Sequence, residues 1–268
     1  MNDRLLETAR AFDSVAADYD GPLGNNALIQ KMRARTMQAI EHSFSPGSDL
    51  LDLGCGTGID AEYLARRGYG IVALDSSPAM VARANERLNL AGLRRTASAE
   101  CIGIHELARL DAAGFEGAYS NFGAINCVPD LRAVSAALAL KLKPHGRFIA
   151  SVIGRYCPWE FLLYSARGDY GRAKIRFARG SVPVPLNGQT VWSRYYSASE
   201  FYRAFASDFE LTGLCALGLF LPPPYMIHLY ERRPRMMKLL ERLERAFATM
   251  PILRNLGDHF LISLRKRP

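Results

Sequence analysis

The stretch from Leu50 to Gly58 constrains the fold of this chain more than any other part of the sequence. It reads LLDLGCGTG, an apolar run that ends in three glycines at alternate positions, and a helical pattern follows. A buried parallel strand that turns sharply beneath a ligand and enters a helix has this form. Glycine suits such a turn because it reaches positive φ freely and lets the backbone pass close to a bound molecule.

A second strand pattern ends close to this turn. The apolar run Ile71 to Leu74 is followed by Asp75, seventeen residues after Gly58. A carboxylate at the tip of a neighbouring strand can accept hydrogen bonds from both hydroxyls of a ribose. The two strand tips together therefore predict a nucleoside site.

Strand and helix patterns alternate from Leu50 to Val152. This alternation predicts an α/β fold with an open parallel sheet and helices on both faces. Ligands bind such sheets at the carboxyl ends of the strands, which is where the glycines and Asp75 fall.

Three segments depart from this rhythm within what we treat as a single domain of 268 residues. Residues 3–45 are predicted to be helical, either packing on the core or forming a lid. Residues 154–196 form an insert rich in aromatic and basic side chains, in which 173–178 and 190–196 are predicted to pair as a hairpin. Residues 222–256 form a helical insert.

Composition narrows the class of protein. The five cysteines are scattered without paired spacing, so we expect no metal site and a cytoplasmic protein. The start of the chain lacks a signal-peptide pattern. The net charge of +8 suits nucleic acid, anionic lipid, an acidic substrate or simply a solvated arginine-rich surface. Nucleic acid is not expected as a partner, because no zinc-finger or RNA-binding signature is present.

The segment Leu50 to Ala84, LLDLGCGTGIDAEYLARRGYGIVALDSSPAMVARA, resembles the nucleotide-binding signature of the class I S-adenosylmethionine-dependent methyltransferases. Residues 120–127 fit the position where members of that family shape the methyl-transfer pocket. The stretch from Phe12 to Tyr19 is similar to the N-terminal lid of quinone and malonyl-carrier-protein methyltransferase-like members. The resemblance implies a three-layer αβα Rossmann-like fold, with a seven-stranded, mostly parallel sheet, an antiparallel last strand and a cap insert.

The resemblance also implies the cofactor S-adenosyl-L-methionine and the residues that bind it. Asp52 helps to anchor the amino group of the methionine part, Gly54 and Gly56 let the chain pass beneath the cofactor, and Asp75 takes the ribose hydroxyls. The remaining implied contacts are Tyr19, Arg33, Cys55, Gly58, Ser76, Met80, Asn121 and Phe122.

Two details bear on this resemblance. A dinucleotide-binding GxGxxG motif that begins at Gly54 would need a small residue at position 59, which is Ile59. Family members usually carry an acidic residue after the third strand that binds the adenine amino group. Glu100 is the candidate here, or else a solvated helix-cap residue.

The sequence contains no unmistakable general base. His105 is predicted to lie away from the strand tips, and His228 is the only histidine expected near the mouth of the site. Aromatic and basic residues of the insert either pack it onto the sheet or form a hydrophobic acceptor pocket with an arginine for a carboxylate or phosphate. The candidate substrate residues are Asn126, Tyr156, Trp159, Trp192, Arg194, Tyr195 and Tyr196.

Three hypotheses for function remain open. The first is a methyltransferase that acts by direct in-line transfer on a small aromatic or lipid-like molecule, with peripheral membrane contact if the substrate is a lipid. The second is a carboxyl O-methyltransferase acting on a carrier-protein-bound acid, for which an exposed basic patch would dock the carrier. The third is a cofactor-binding fold relative with a structural role. The residues of the expected patch are Arg172, Lys174, Arg176 and Arg179.

Overall fold

The computed structural model describes residues 3–21 and 24–268. The strands are β1 (Asp49–Leu53), β2 (Gly70–Asp75), β3 (Ala97–Cys101), β4 (Phe115–Ser120), β5 (Leu142–Ile153), β6 (Val182–Leu186), β7 (Gln189–Ser193), β8 (Phe209–Leu217) and β9 (His259–Lys266). The helices are α1 (Asp3–Asp13), α2 (Ala27–Ser43), α3 (Ile59–Ala65), α4 (Pro78–Leu90), α5 (Leu131–Lys141), α6 (Pro158–Ala166), α7 (Tyr170–Lys174), α8 (Ala198–Phe205), α9 (Ile227–Arg232) and α10 (Pro234–Phe247).

Seven of these strands form one sheet in the order β3-β2-β1-β4-β5-β9-β8. The first five strands pair in parallel, and β9 is antiparallel to both of its neighbours. The predicted seven-stranded, mostly parallel sheet with an antiparallel last strand is therefore confirmed.

Helices cover both faces of the sheet because the strands are apolar on both sides. Within β1, Leu51 and Leu53 enter one core together with residues of α5 and α8. Leu50 enters the other core, with residues of α2, α3 and α4. Successive side chains of a strand point to opposite faces, so a continuous apolar run fills both cores.

The hairpin predicted within the insert is wrong in its first strand. Residues 182–186, which the predicted pairing of 173–178 with 190–196 places in the loop between the two strands, form β6 and pair with β7 across a turn at Asn187-Gly188. Both turn residues have positive φ, 48° and 73°, which suits a two-residue hairpin turn. Residues 170–177 are helical instead.

The N-terminal helix also differs from expectation. It ends at Asp13, and turns lead the chain on to Gly21. The sequence predicts a helix break at Gly21-Pro22, of which Pro22 lies outside the described residues. None of the described helices is long and apolar enough to cross a membrane.

Candidate active site

A cavity of about 220 Å³ lies over the carboxyl ends of β1, β2 and β4. Its floor is the glycine loop, residues 54–58, together with the start of α3 and the chain that follows β4. Two pieces from elsewhere in the chain cover it: the N-terminal segment, residues 3–21, and the hairpin of β6 and β7. The cavity is therefore built by segments that lie far apart in the sequence.

Asp75, at the tip of β2, fixes the shape of the glycine loop. Its carboxylate accepts hydrogen bonds from the backbone N–H groups of Gly56 and Ser77, each at 2.9 Å. Burial raises the pKa of Asp75, although these backbone donors oppose the shift. A carboxylate can accept about four hydrogen bonds, so Asp75 can also accept bonds from a ligand.

Gly54 brings the loop into close contact with the chain after β4. Its φ is +87°, and a Cβ at this position would lie 2.2 Å from the Cβ of Ala124. Any other residue would be strained in this backbone conformation and would overlap that neighbour. The sequence signal for a close backbone approach at this position thus has a direct structural cause.

A charged pair lies at the side of the cavity formed by β1 and β4. Arg33 of α2 donates a 2.6 Å hydrogen bond to Asp60, which also accepts one from the side-chain amide of Asn121 at 2.9 Å. The Arg33 guanidinium lies 4.9 Å from the centre of the Phe122 ring. Its Nε atom is buried and has no hydrogen-bond partner among the described residues. An arginine with a free donor can bind a ligand carboxylate.

Two carboxylates hold the N-terminal segment against the glycine loop. Asp13 accepts a hydrogen bond from the hydroxyl of Ser77 at 2.6 Å, at the N-terminus of α4. Asp20 accepts one from the hydroxyl of Thr57 at 2.6 Å and is paired with Arg87. The segment is thereby fastened at both ends of its turn region.

Between these anchors the N-terminal segment places aromatic rings over the cavity. Phe12 and Tyr19 meet edge to face with their ring centres 6.3 Å apart, and both line the cavity. Burial, together with the nearby Asp75, raises the pKa of Tyr19 to about 12. Tyr19 is therefore a neutral phenol at physiological pH.

The cavity has a charged side and a neutral side. The charged groups and the histidine that line it, Asp20, Arg33, Asp60, Asp75 and His105, belong to the N-terminal segment, α2, α3, the tip of β2 and the chain after β3. The opposite wall, next to β5 and the hairpin, is formed by Leu5, Thr8, Phe12, Cys127, Val128, Ile153, Val184, Val191, Ser193 and Tyr195. We call these ten residues the neutral wall.

Polar atoms are sparse on the neutral wall. Ser193 is 4% exposed, and its hydroxyl has no hydrogen-bond partner among the described residues. Burial raises the pKa of the Cys127 thiol to about 12 and also raises that of the Tyr195 phenol. Both groups are therefore protonated near neutral pH.

Most of the predicted cofactor residues meet at this cavity. Tyr19, Arg33, Gly54, Cys55, Gly56, Asp75, Ser76, Met80, Asn121 and Phe122 all line it.

Three predicted cofactor residues do not line the cavity, each for a different reason. Asp52 is 2% exposed and lies within β1, below the loop. Gly58 packs against α4, where a Cβ would come within 2.9 Å of the Cβ of Ala84. Glu100 is exposed on β3, because strand alternation buries its neighbour Ala99 instead.

Of the predicted substrate residues, only Tyr195 lines the cavity. Asn126 is 1% exposed and ties the end of β5 to the chain beside it, since its amide bonds both the N–H and the C=O of Ile153 and the C=O of Arg194. The Arg194 guanidinium lies 5.0 Å from the centre of the Tyr196 ring, and Tyr196 belongs to the main core.

The other predicted substrate residues attach the covering segments to the body of the protein. Trp159 donates its indole N–H to the C=O of Phe220, and Tyr156 packs against Phe177. Trp192 donates its indole N–H to the Glu7 carboxylate at 2.6 Å and thereby joins the hairpin to α1. These contacts fit the interpretation in which the aromatic residues pack the insert onto the rest of the protein.

Several lining residues were missed from the sequence. His105 lines the cavity instead of lying away from the strand tips, and His228 is exposed on α9. Asp60 could have been found, because it stands in the first turn of the helix after the glycine loop. Ser193 and Val191 carry no sequence signal for this site, since only tertiary folding brings the hairpin to it.

Comparisons with known proteins show which proteins this chain resembles. A family model described as "Methyltransferase domain" matches residues 50–146. The chain is 35% identical over 134 residues to the ubiquinone biosynthesis O-methyltransferase of Hahella chejuensis, an alignment that covers 48% of this chain and 53% of that protein. It is 29% identical over 181 residues to the protein of the same name from Alkalilimnicola ehrlichii, with 63% and 72% covered.

Among solved structures, a SAM-dependent methyltransferase from Methanosarcina mazei matches with a TM-score of 0.58 at 19% identity. That alignment covers 85% of this chain and 97% of the other. The chain spans about half to three fifths of the length of the first three curated relatives.

Proposed function

We propose that this chain acts as a class I S-adenosylmethionine-dependent methyltransferase, which the match of residues 50–146 to a methyltransferase family model supports. It transfers a methyl group from that cofactor to a small, uncharged, mainly apolar molecule. When bound, the cofactor supplies a methyl group already activated by its positively charged sulfur. The observation that carries the choice of acceptor is the division of the cavity into a charged side and a neutral wall.

The charged side fits the cofactor. Asp75 would accept hydrogen bonds from the ribose hydroxyls. Arg33, whose Nε has no partner among the described residues, would bind the carboxylate of the methionine part. Asp60 lies beside Arg33 and would attract the amino group. These three residues would therefore orient the cofactor from β2 towards α2 and α3.

The neutral wall would receive the acceptor. A charged acceptor that was buried there would lose its hydration without gaining an opposite charge, which is costly in an apolar environment. An apolar ring or chain would instead be stabilised by about 25 cal/mol for each Å² of surface that it buries. The Ser193 hydroxyl, unpartnered among the described residues, would hold one polar atom of the acceptor in place.

We further propose that an oxygen is methylated, because the relatives at about 30% identity are named as O-methyltransferases. Cys127 and Tyr195 are protonated near neutral pH, so neither would act as a strong base. Catalysis would then rest on alignment in a dry pocket, which can supply effective concentrations of about 10⁵ M or more. Transfer to a hydroxyl also releases its proton, which would pass to solvent in the absence of a base. A phenolic hydroxyl gives up that proton more readily than an alcohol, and would therefore suit such a site.

The carrier-protein alternative loses its structural support. It required an exposed basic patch that includes Arg176, but Arg176 is only 6% exposed and is bound between Glu160 and Asp258. The purely structural alternative would be supported only if isothermal titration calorimetry detected no cofactor binding.

The proposal can be tested with a panel of acceptors and one matched pair of variants. Purified protein is incubated with isotopically labelled S-adenosylmethionine and with neutral phenols, fatty acids, amines and carrier-bound acids, and methylated products are identified by mass spectrometry. We expect transfer to the neutral phenols. Transfer only to the charged acceptors would contradict the proposal.

The variants place a charge on either face of β7. Val191→Asp puts a carboxylate on the neutral wall, and we expect it to abolish transfer while cofactor affinity stays within about twofold. Thr190→Asp places the same charge on the opposite face of the strand, and it should preserve both methyl transfer and cofactor affinity. Equal activity of the two variants would show that the acceptor binds elsewhere.

A further inference from the structure

His105 is a half-buried side chain at the cavity that the proposed function leaves without a role. It follows β3, the outermost strand on one side of the sheet, and β3 pairs with β2 so that Cys101 lies opposite Asp75. The chain after Cys101 therefore runs beside the carboxylate that would hold the ribose. A base attached to that ribose would extend towards this chain, away from β1.

The imidazole ring lies folded over the backbone of Gly103. A Cβ on Gly103 would lie 2.4 Å from the ring atom Cε1 and 2.6 Å from Nδ1, so the ring occupies space that any other residue would fill. The His105 side chain is only 20% exposed. The imidazole can lie there because residue 103 is a glycine and has no side chain.

The ring nitrogen Nε2 is buried and has no hydrogen-bond partner among the described residues. The nearest carboxylate oxygen, on Glu106, is 3.9 Å away, beyond hydrogen-bond distance. That carboxylate already accepts bonds from Arg109 and from the backbone N–H of Gly103. A buried polar atom without a partner is unfavourable, so a ligand that bonds it gains affinity.

His105 is placed on the charged side of the cavity and not on the neutral wall. It follows β3, whereas the neutral wall lies beside β5, on the far side of β2, β1 and β4. Its neighbour Ile104 packs near the glycine loop, with its Cδ1 atom 3.5 Å from where a Cβ on Gly54 would lie. The imidazole therefore lies beside the loop and the strand tip that are proposed to hold the cofactor.

We propose that His105, through Nε2, accepts a hydrogen bond from the exocyclic amino group of the cofactor's adenine and so makes the site selective for adenine. This inference rests on the proposed function, because it assumes that S-adenosylmethionine binds with its ribose on Asp75. Burial lowers the pKa of His105, so the imidazole is neutral and can accept a bond at neutral pH. Glu100, the acidic residue that the sequence suggested for this role, is exposed on the strand itself.

The test is a comparison of two ligands on two forms of the protein. S-adenosylhomocysteine carries the amino group, and S-inosylhomocysteine carries an oxygen in its place. Isothermal titration calorimetry measures the dissociation constant of each for the wild type and for His105→Ala. We expect His105→Ala to weaken the binding of S-adenosylhomocysteine by about tenfold and to change the dissociation constant of S-inosylhomocysteine by no more than about twofold. The preference for adenine should then disappear.

Three further variants separate a direct contact from a structural effect. His105→Gln should recover part of the lost affinity, because its amide oxygen can also accept a hydrogen bond. Gly103→Ala should reproduce the loss while keeping the imidazole, because its Cβ displaces the ring. Glu100→Ala should leave the dissociation constants of both ligands unchanged.

Equal weakening of both ligands by His105→Ala, or no weakening of either, would overturn the inference. A wild type that binds neither ligand would instead refute the proposed function, and this inference with it.

Discussion

Arg176 links the insert to the end of the sheet, and its removal provides a quantitative test of the fold. Its guanidinium donates to both carboxylate oxygens of Glu160, at 2.6 and 2.7 Å, and to the Asp258 carboxylate at 2.6 Å. It also donates to the backbone C=O groups of Gly154 and Asp258, both at 2.9 Å. One side chain from the insert thus joins α6 to the ends of β5 and β9.

We expect Arg176→Ala to lower the free energy of unfolding by about 3–5 kcal/mol, the usual cost of removing one partner from a buried ion pair. The Glu160 and Asp258 side chains, 12% and 5% exposed, would lose the same cation. Although two carboxylates lose their cation, the loss of unfolding free energy should not be twice that of one broken ion pair. The hydroxyl of Tyr225 still donates to Glu160, and His259 lies 3.0 Å from Asp258. Urea denaturation followed by circular dichroism measures the change.

The effect should also depend on pH. Burial alone would raise the pKa of Asp258, but Arg176 and His259 beside it hold that pKa well below its usual range. In the wild type this lowered pKa contributes stability above the unfolded value, about 3.9, and the contribution is lost as the pH falls through the lower folded value. Without Arg176, burial would disfavour the Asp258 carboxylate, and protonation would relieve that cost. The stability difference should therefore be largest near neutral pH and shrink below about pH 4.

Arg172→Ala is the matched control. The Arg172 side chain is 69% exposed, and its pair with Asp169 spans 3.5 Å at the surface, so its removal should change stability by about 0.5 kcal/mol or less. A loss below about 1 kcal/mol for Arg176→Ala, or a difference that grows as the pH falls, would refute this account of the contact.

Two further variants test the glycine loop and the strand tip beside it. Asp75→Ala should weaken binding of S-adenosylmethionine by at least about tenfold, or 1.4 kcal/mol, by isothermal titration calorimetry; unchanged affinity would mean that the tip of β2 does not hold the ribose. Gly54→Ala should destabilise the protein by about 1–3 kcal/mol in urea denaturation, because its Cβ would overlap Ala124. Gly92→Ala is the control that separates backbone strain from steric overlap, because Gly92 has a similar φ of +71° but no atom within 4 Å of the added Cβ. If both variants lost the same amount of stability, the overlap with Ala124 would not be the cause.

The charged side of the cavity was predictable because its signals are local in sequence. The loop from Gly54 to Gly58 and Asp75 each follow a strand directly, so the parallel arrangement alone brings them to one edge of the sheet. Arg33 came from the resemblance instead, since the helical pattern of α2 does not distinguish the face that meets Asp60. The sheet order likewise follows from the alternation of strands and helices together with the resemblance.

The neutral wall was not predictable in the same way. The hairpin was assigned to the wrong first strand because Pro183 and Pro185 suggested a break, although the turn at Asn187-Gly188 is a typical hairpin signal. Both strands of a two-stranded hairpin are edge strands, and edge strands tolerate proline. The aromatic residues that attracted attention, Trp159 and Trp192, are large enough to bridge segments, and they are used for that purpose.

The contact between the hairpin and α1 joins the two segments that form the proposed acceptor wall. The hydroxyl of Thr8 accepts a hydrogen bond from the backbone N–H of Trp192, and the indole of Trp192 donates to Glu7, so α1 and β7 are held together. Thr8 and Ser193 both line the neutral wall. The proposed acceptor wall is therefore one unit made from two distant segments. This unit is also fastened to the proposed cofactor side, because Asp13, the last residue of α1, accepts a hydrogen bond from the hydroxyl of Ser77, two residues after Asp75. A change in α1 or β7 would therefore reach both sides of the cavity.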